Sequence, residues 1–430
     1  MEQLAWLGGE PTRRQPFPAY TTLGDEEKKA VIEVLDSGEL SRFLGTWSPD
    51  FYGGTRVQAL ERDWEAYFGV RHAVSMNSAT SGLYAAVGAA GISPGDEVIV
   101  SPYTMTASAT AALIYGGIPV FADIDPQTFC ISPDSIRQRL SERTRAIIAV
   151  DLFGHPAAMA EIMAIAEEHN LVVIEDAAQA PGASLHGRPA GTLAHMGVYS
   201  LNYHKTIQCG EGGVVVTNDS ALAERLQLIR NHGEVVVKAK GTEDIVNMVG
   251  FNYRMTEIEA AIAREQLKKL ERLAKARRDA ADYLTERLMN MPGLTPPYVG
   301  PGVEHGYYLY ALRYDETEVG MSRADFVEAV RAEGIPMSAG YVEPIYLQPL
   351  YQQRIAFGAA GYPFTMLPFP EAVSYARGLC PVTERMHFKE LVYASVCHAN
   401  VTRADLDDVV KAIGKVLRYA KTAKRGNSAA

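Results

Sequence analysis

Apolar and polar positions along this chain switch repeatedly between two periods. Short apolar runs bounded by turn residues, the pattern of buried strands, recur at 72–76, 97–101, 118–122, 145–151 and 171–176. Between them lie stretches with helical spacing at 80–90, 104–115, 133–140 and 158–169. Ser132 caps the third of these, with Pro133 at its first position. Two more strands follow at 196–200 and 213–217, and helices at 25–35 and 55–68 precede the series. Acidic Asp25, Glu26 and Glu27 open the first helix, where its dipole favours negative charge. Strand and helix in alternation predict a mostly parallel sheet covered on both faces. Ligands of such sheets lie beyond the strand C-termini.

The pattern changes after the last of these strands. A heptad-like stretch at 256–291 predicts a long helical connector, and the Pro- and Gly-rich segment 291–302 marks a domain boundary. An apolar run at 307–312 and helices at 323–333 and 402–419 predict a smaller α/β domain. Thr402 and Asp405 form a capping-box-like start to the last helix. The expected organisation is therefore an extended N-terminal arm (1–24, with Pro11, Pro16 and Pro18), a large domain (25–255), the connector (256–291), a small domain (292–420) and a disordered tail (421–430). No internal repeat is visible.

Bulk properties narrow the partners. With 430 residues the chain can bury a large core, and 47% hydrophobic and 21% charged residues are ordinary for a soluble protein. A net charge of −10 argues against a nucleic-acid or anionic-membrane partner. The cysteines Cys130, Cys209, Cys380 and Cys397 have no C-x-x-C spacing and read as reduced thiols. The ten histidines lack metal-ligand spacing, so no metal is expected. The N-terminus lacks a basic and apolar leader, and the apolar stretch at 107–122 is broken by Gly116, Gly117 and Pro119. A cytoplasmic location is expected.

Candidate chemistry begins with Lys205, which lies between an apolar run ending at Tyr199 and the glycine cluster Gly210-Glu211-Gly212-Gly213. Burial or a second cation would lower its pKa and make the amine a nucleophile for a carbonyl. Most lysines in such loops are simply solvated, so its neighbours decide. The strand at 171–176 ends in Glu175-Asp176-Ala177-Ala178-Gln179. A carboxylate there caps a turn or pairs with the protonated nitrogen of a pyridine ring. The segment Asn77-Ser78-Ala79-Thr80-Ser81 runs from a strand into a helix, and that start suits either ordinary capping or a phosphate cradle. The glycine cluster precedes a strand, not a helix, so it is no dinucleotide fingerprint, and a Rossmann dehydrogenase is disfavoured.

Phosphate cradle, acid at a strand end, and a lysine 29 residues further on occur in that order. This order resembles aspartate-aminotransferase-like (fold type I) pyridoxal-phosphate enzymes, and more narrowly the DegT/StrS-type sugar aminotransferases. The resemblance runs from about Asp25 to Val416. It rests on Asn77-Ser78-Ala79-Thr80-Ser81-Gly82-Leu83, Pro94-Gly95-Asp96-Glu97, Pro119-Val120-Phe121-Ala122-Asp123, Glu175-Asp176-Ala177-Ala178-Gln179-Ala180, Lys205 with its glycines, and Gly250-Phe251-Asn252-Tyr253-Arg254-Met255. It implies a large domain with a seven-stranded, mostly parallel sheet and a smaller C-terminal α/β domain.

The resemblance also implies a set of roles. Lys205 would hold pyridoxal 5'-phosphate as a Schiff base and then shuttle the proton. Asp176 would pair with the pyridinium nitrogen, and Gln179 would sit near the ring hydroxyl. Ala79, Thr80, Ser81 and Ser200 would hold the phosphate. Asn252 would reach the phosphate of a neighbouring subunit, which makes the protein a homodimer with shared sites. The glycines after Lys205 would let the next strand pass close to the cofactor. The implied reaction moves an amino group from glutamate or glutamine to a keto-sugar or keto-cyclitol by a ping-pong cycle.

Two positions depart from the family pattern. Met105 stands where an aromatic residue usually stacks on the cofactor, leaving the thioether or Tyr103 for that role. Asn202 stands where His is frequent. Family members that dehydrate carry His in place of the lysine, so Lys205 disfavours that variant, with His204 merely adjacent. A pyridoxal-phosphate-binding regulator without turnover is the reading from another class. Tyr103, Tyr203 and Tyr341 are candidate pocket aromatics, and the sugar would be read by residues from Tyr341 to Tyr351.

Overall fold

The computed structural model describes residues 3–366 and 373–427. Its main sheet contains β1 (His72–Met76), β2 (Glu97–Val100), β3 (Ile118–Phe121), β4 (Thr144–Val150), β5 (Val172–Asp176), β6 (Met196–Ser200) and β7 (Gly213–Thr217). Their order across the sheet is β1-β7-β6-β5-β4-β2-β3, and only β7 runs against the rest. Strands β2, β3, β6 and β7 are buried at every residue, which accounts for their unbroken apolar runs.

Helices α1 (Asp25–Ser37), α2 (Thr55–Phe68), α3 (Ala79–Ala89), α4 (Ala107–Ile114), α5 (Pro133–Arg139) and α6 (Met159–His169) accompany the sheet. Small residues let α3 lie tight on it. A Cβ added at Gly82 would stand 3.0 Å from Val215 and 3.1 Å from Val198. Helix α4 starts later than the periodicity predicts. Upstream, Ser101 Oγ accepts from the N–H of Tyr103, and Met105 Sδ accepts from that of Ala107, so side chains take up donors before the helix begins.

The expected connector is broken into α7 (Glu257–Leu267) and α8 (Leu270–Leu288). The break lies where Gln266 and Lys269 are drawn to the start of α1. Gln266 Nε2 donates to Thr22 O and Glu27 Oε1, and Lys269 Nζ donates to Thr22 O and Glu27 Oε2. Leu270 and Leu273 of α8 join the core beside the main sheet, whereas Ala281, Leu284 and Leu288 join a second core. That second core covers an antiparallel sheet of β8 (Leu294–Thr295), β9 (Tyr310–Tyr314), β10 (Met337–Ala339) and β11 (Leu391–Ala394), in the order β8-β9-β11-β10. Helices α9 (Arg323–Ala332) and α10 (Arg403–Asn427) pack on it.

Both chain ends differ from expectation. The last helix continues to Asn427, through most of the segment expected to be disordered, and residues 428–430 lie outside the described residues. The N-terminal arm carries a 3-10 turn at Ala5–Leu7 and is pinned by Glu333. The buried Glu333 carboxylate accepts from Ala5 N (2.8 Å), Thr12 N (2.9 Å), Thr12 Oγ1 (2.7 Å) and Lys415 Nζ (2.9 Å). Burial alone would raise its pKa, but these donors together bring it below the ordinary value.

Glu333→Ala is therefore expected to destabilise the fold by about 3–5 kcal/mol, because it removes the carboxylate that neutralises the buried Lys415 ammonium. A denaturant midpoint checks this. With a lowered folded pKa, the contribution of Glu333 is present above the ordinary carboxylate range and is lost as pH falls through the lowered value. Among the described residues, no helix is long and apolar enough to cross a membrane.

Candidate active site

The C-terminal ends of β5 and β6 and the start of α3 converge on a cavity of about 170 Å³. Its wall includes Ser78, Ala79, Thr80, Met105, Ser108, Asp176, Gln179, Ser200, Asn202, His204, Lys205 and Glu211. Of the expected site residues, Ala79, Thr80, Met105, Asp176, Gln179, Ser200 and Lys205 meet here. Ser81 and Asn252 are not among the lining residues.

Strand alternation separates the two acids that end β5. Glu175 accepts from the N–H of Leu193 at 2.8 Å and does not line the cavity, whereas Asp176 does. Asp176 is 4% exposed; its Oδ2 accepts from Ser108 Oγ (2.7 Å) and its Oδ1 from Ala178 N (3.2 Å). Burial raises the Asp176 pKa, and Ser108, Ala178 and the Lys205 charge oppose that rise.

At the start of α3, Ser78 Oγ accepts from the N–H of Ser81. The N–H groups of Ala79 and Thr80 belong to the first turn and have no intrahelical acceptor, so they are available to an anion. The Ser81 hydroxyl, expected to face a phosphate, instead donates to Asn77 Oδ1 at 2.6 Å. The glycines have separate tasks. Gly212 lines the cavity, while Gly213 lets β7 press on the cradle from behind, where a Cβ would fall 2.6 Å from Ala79 N.

Beyond β6 the chain folds back so that Lys205 faces the cavity. Its N–H donates to Asn202 O at 2.9 Å, and Tyr20 OH donates to Thr206 O at 2.5 Å. Asn202 Nδ2 donates to both carboxylate oxygens of Glu211 at 2.9 Å, closing the loop. The Lys205 side chain is buried, with the whole residue 9% exposed. Burial depresses its pKa to about 8, against the opposing pull of Asp176. Capture of an aromatic aldehyde by this amine is therefore expected to speed up with rising pH and level off above about 8, since only the neutral amine attacks. A capture rate still climbing beyond pH of about 10 would contradict it.

The remaining positions sort clearly. Gln179 is fixed at both ends, its Oε1 accepting from Phe153 N (2.9 Å) and its Nε2 donating to Tyr341 OH (3.1 Å). Met105 lines the cavity and is 54% exposed, whereas Tyr103 is fully buried, edge-on to Tyr341. Of the two candidates for stacking, only Met105 reaches the cavity. Tyr203 points outward, 71% exposed. Asn252 Oδ1 accepts from Arg254 Nε at 2.8 Å. Ser108, Glu211 and Thr104 line the site without having been expected, and no motif around Ser108 or Thr104 signals them.

The family model of the DegT/DnrJ/EryC1/StrS aminotransferase family matches residues 21–366. The chain belongs to this family. One DegT-family relative, the L-glutamine:2-deoxy-scyllo-inosose aminotransferase of Streptomyces fradiae, is 34% identical, with 97% of this chain and 98% of that protein covered. The GDP-perosamine synthase of Caulobacter vibrioides is 33% identical, covering 93% of this chain and 97% of the relative. The solved aminotransferase from Psychrobacter cryohalolentis superposes with a TM-score of 0.81 at 28% identity, over 94% of this chain and all of that one (100%).

As a DegT-family member the protein is a pyridoxal-phosphate-dependent aminotransferase of fold type I. The residues present fit that cofactor. Unfilled helix-start N–H groups at Ala79 and Thr80, with Ser200 nearby, suit a phosphate. Asp176 is the lining carboxylate whose raised pKa a cationic ring nitrogen would bring back down. Lys205 supplies the buried amine for the carbonyl.

Proposed function

We propose that the protein transfers an amino group from glutamine or glutamate to a keto-cyclitol or a nucleotide-linked keto-sugar, with Lys205 as the lysine that carries the cofactor. The observation that carries this reading is the meeting of Lys205, Asp176 and the start of α3 around one cavity. Bound pyridoxal phosphate supplies an electron sink for the carbon between which and the amine the proton moves. The protein's residues do the rest. With the cofactor bound, Ala79, Thr80 and Ser200 would anchor the phosphate, Asp176 would hold the ring nitrogen protonated, and Gln179 would keep its amide beside the ring hydroxyl. Met105 would pack on the ring. Lys205 would hold the carbonyl and, once its amine is free, would move the proton between the two carbons that exchange the amino group.

Donor and ketone use the same cavity in turn, a ping-pong cycle. The names of the Streptomyces fradiae and Caulobacter vibrioides relatives support the two ketone classes. A homodimer completes the site, with Asn252 reaching the phosphate held by the neighbouring subunit. Exposed Val235, Ile245, Val246 and Val249, close to Asn252 in the chain, support a covered face there. The protein acts in the cytoplasm.

Mixing holoprotein with glutamine or glutamate is expected to bleach the visible band. A panel of inosose-type ketones and keto-sugar nucleotides then identifies the acceptor by which member restores it. No bleaching with either donor would instead favour the regulator that binds the cofactor without turnover.

A further inference from the structure

The Lys205 ammonium donates no hydrogen bond among the described residues. Its contact is the face of Tyr308, whose ring centroid lies 4.7 Å from Nζ. Tyr308 reaches this position from the bend just before β9. It is held there by its own N–H, which donates to Phe153 O at 2.8 Å. The His204 ring stands 6.1 Å from the Tyr308 ring.

We propose that Tyr308 is a positioning residue whose ring face seats the Lys205 ammonium whenever the amine is free of a carbonyl. An aromatic face attracts a cation through its quadrupole and has little hold on the neutral amine. Seating is therefore strong while the lysine is charged and lapses when it loses its proton, which leaves the lone pair free to attack. A carboxylate in the same place would hold the charge too firmly, and a hydrogen-bond donor would occupy the lone pair.

The groups facing this pair are few. Asp176 at the end of β5 favours the charged amine, and His204, whose own pKa is lowered by partial burial and by Lys205, lies beside it. Around the Tyr308 ring stand Tyr203, Tyr341, Tyr393 and Arg277. Burial holds the Tyr308 hydroxyl un-ionised across the working range, so its ring face stays unchanged while Asp176 supplies the opposing charge.

The consequence for turnover rests on Lys205 carrying the cofactor, but the seat itself does not. The test is competitive labelling of the full-length, cofactor-stripped protein with acetic anhydride across pH, with Lys205 quantified by peptide mass spectrometry. Tyr308→Phe keeps the ring face and is expected to leave the Lys205 titration near that of the unchanged protein. Tyr308→Leu removes the face and is expected to lower the midpoint by about half a unit to one and a half units. Should the leucine variant not fold, Tyr308→Met carries the same expectation.

An unchanged midpoint on loss of the ring would overturn the proposal, as would an equal fall with phenylalanine, which would point to the hydroxyl. Borohydride reduction of the holoprotein is read separately. A label on another lysine would sink the role of Lys205 in catalysis without touching the seat.

Discussion

Lys205→Ala is expected to remove the Schiff-base part of the visible band of the bound cofactor and to lower kcat by about 10²–10⁴-fold, the usual contribution of a positioned proton-transfer group, or more. The amine does two jobs at one place, bonding the carbonyl and moving the proton, and among the residues around the cavity Lys205 is the lysine. Folding should survive. The variant removes a buried cation that makes no hydrogen bond among the described residues, so its thermal midpoint should stay close to that of the unchanged protein. Phosphate anchoring by the start of α3 does not need the lysine, so the variant should still bind the cofactor non-covalently. Added small amines should restore part of the activity. A variant that kept a full band and normal turnover would show that the carbonyl is held elsewhere.

Asp176→Asn is expected to lower kcat by roughly 10²–10³-fold, the scale seen when a preorganised charge is taken from a transition state. Asparagine keeps the shape, and its single oxygen can still accept from the N–H of Ala178, while its amide NH2 would have to donate to the Ser108 hydroxyl. What it loses is the charge that keeps a ring nitrogen protonated. Stability should move the other way. The folded pKa of Asp176 is raised by burial, so its ionised form costs stability as pH rises above the ordinary carboxylate range, and fully so above the raised value. Removing the charge relieves that cost, so the thermal midpoint at neutral pH should hold or rise while activity falls. Loss of both together would mark Asp176 as structural. Steady-state kinetics alongside thermal melts separate the two outcomes.

Much of this site was legible from local pattern because its key residues sit at strand ends. The bounds of β1, β6 and β7 match the periodicity, and the other main strands differ by a residue at most. Strand ends locate Asp176 and Ser200, but one sequence cannot say which of two consecutive acids faces a ligand. The sheet decides that through its alternation, which turns Glu175 toward Leu193. Residue type does not reveal which partner the Ser81 hydroxyl takes, and here it donates to Asn77 Oδ1.

Other features depend on contacts far apart in the chain. Ser108 meets Asp176 across 68 residues, and Tyr20 meets Thr206 across 186. Tyr308 comes to Lys205 from the bend before β9, and no short-range signal announces it. The break between α7 and α8 has the same origin, since Gln266 and Lys269 bend the chain toward the cap of α1. The anchoring of the N-terminal arm by Glu333 is likewise a pairing that composition conceals.

The most direct measurement reduces the freshly purified, yellow holoprotein with borohydride, digests it and locates the added pyridoxyl mass by peptide sequencing. The account predicts the mass on Lys205, in the peptide that follows β6, and on no other residue. Attachment to a different lysine, or a fully coloured protein that takes up no covalent label, would contradict it.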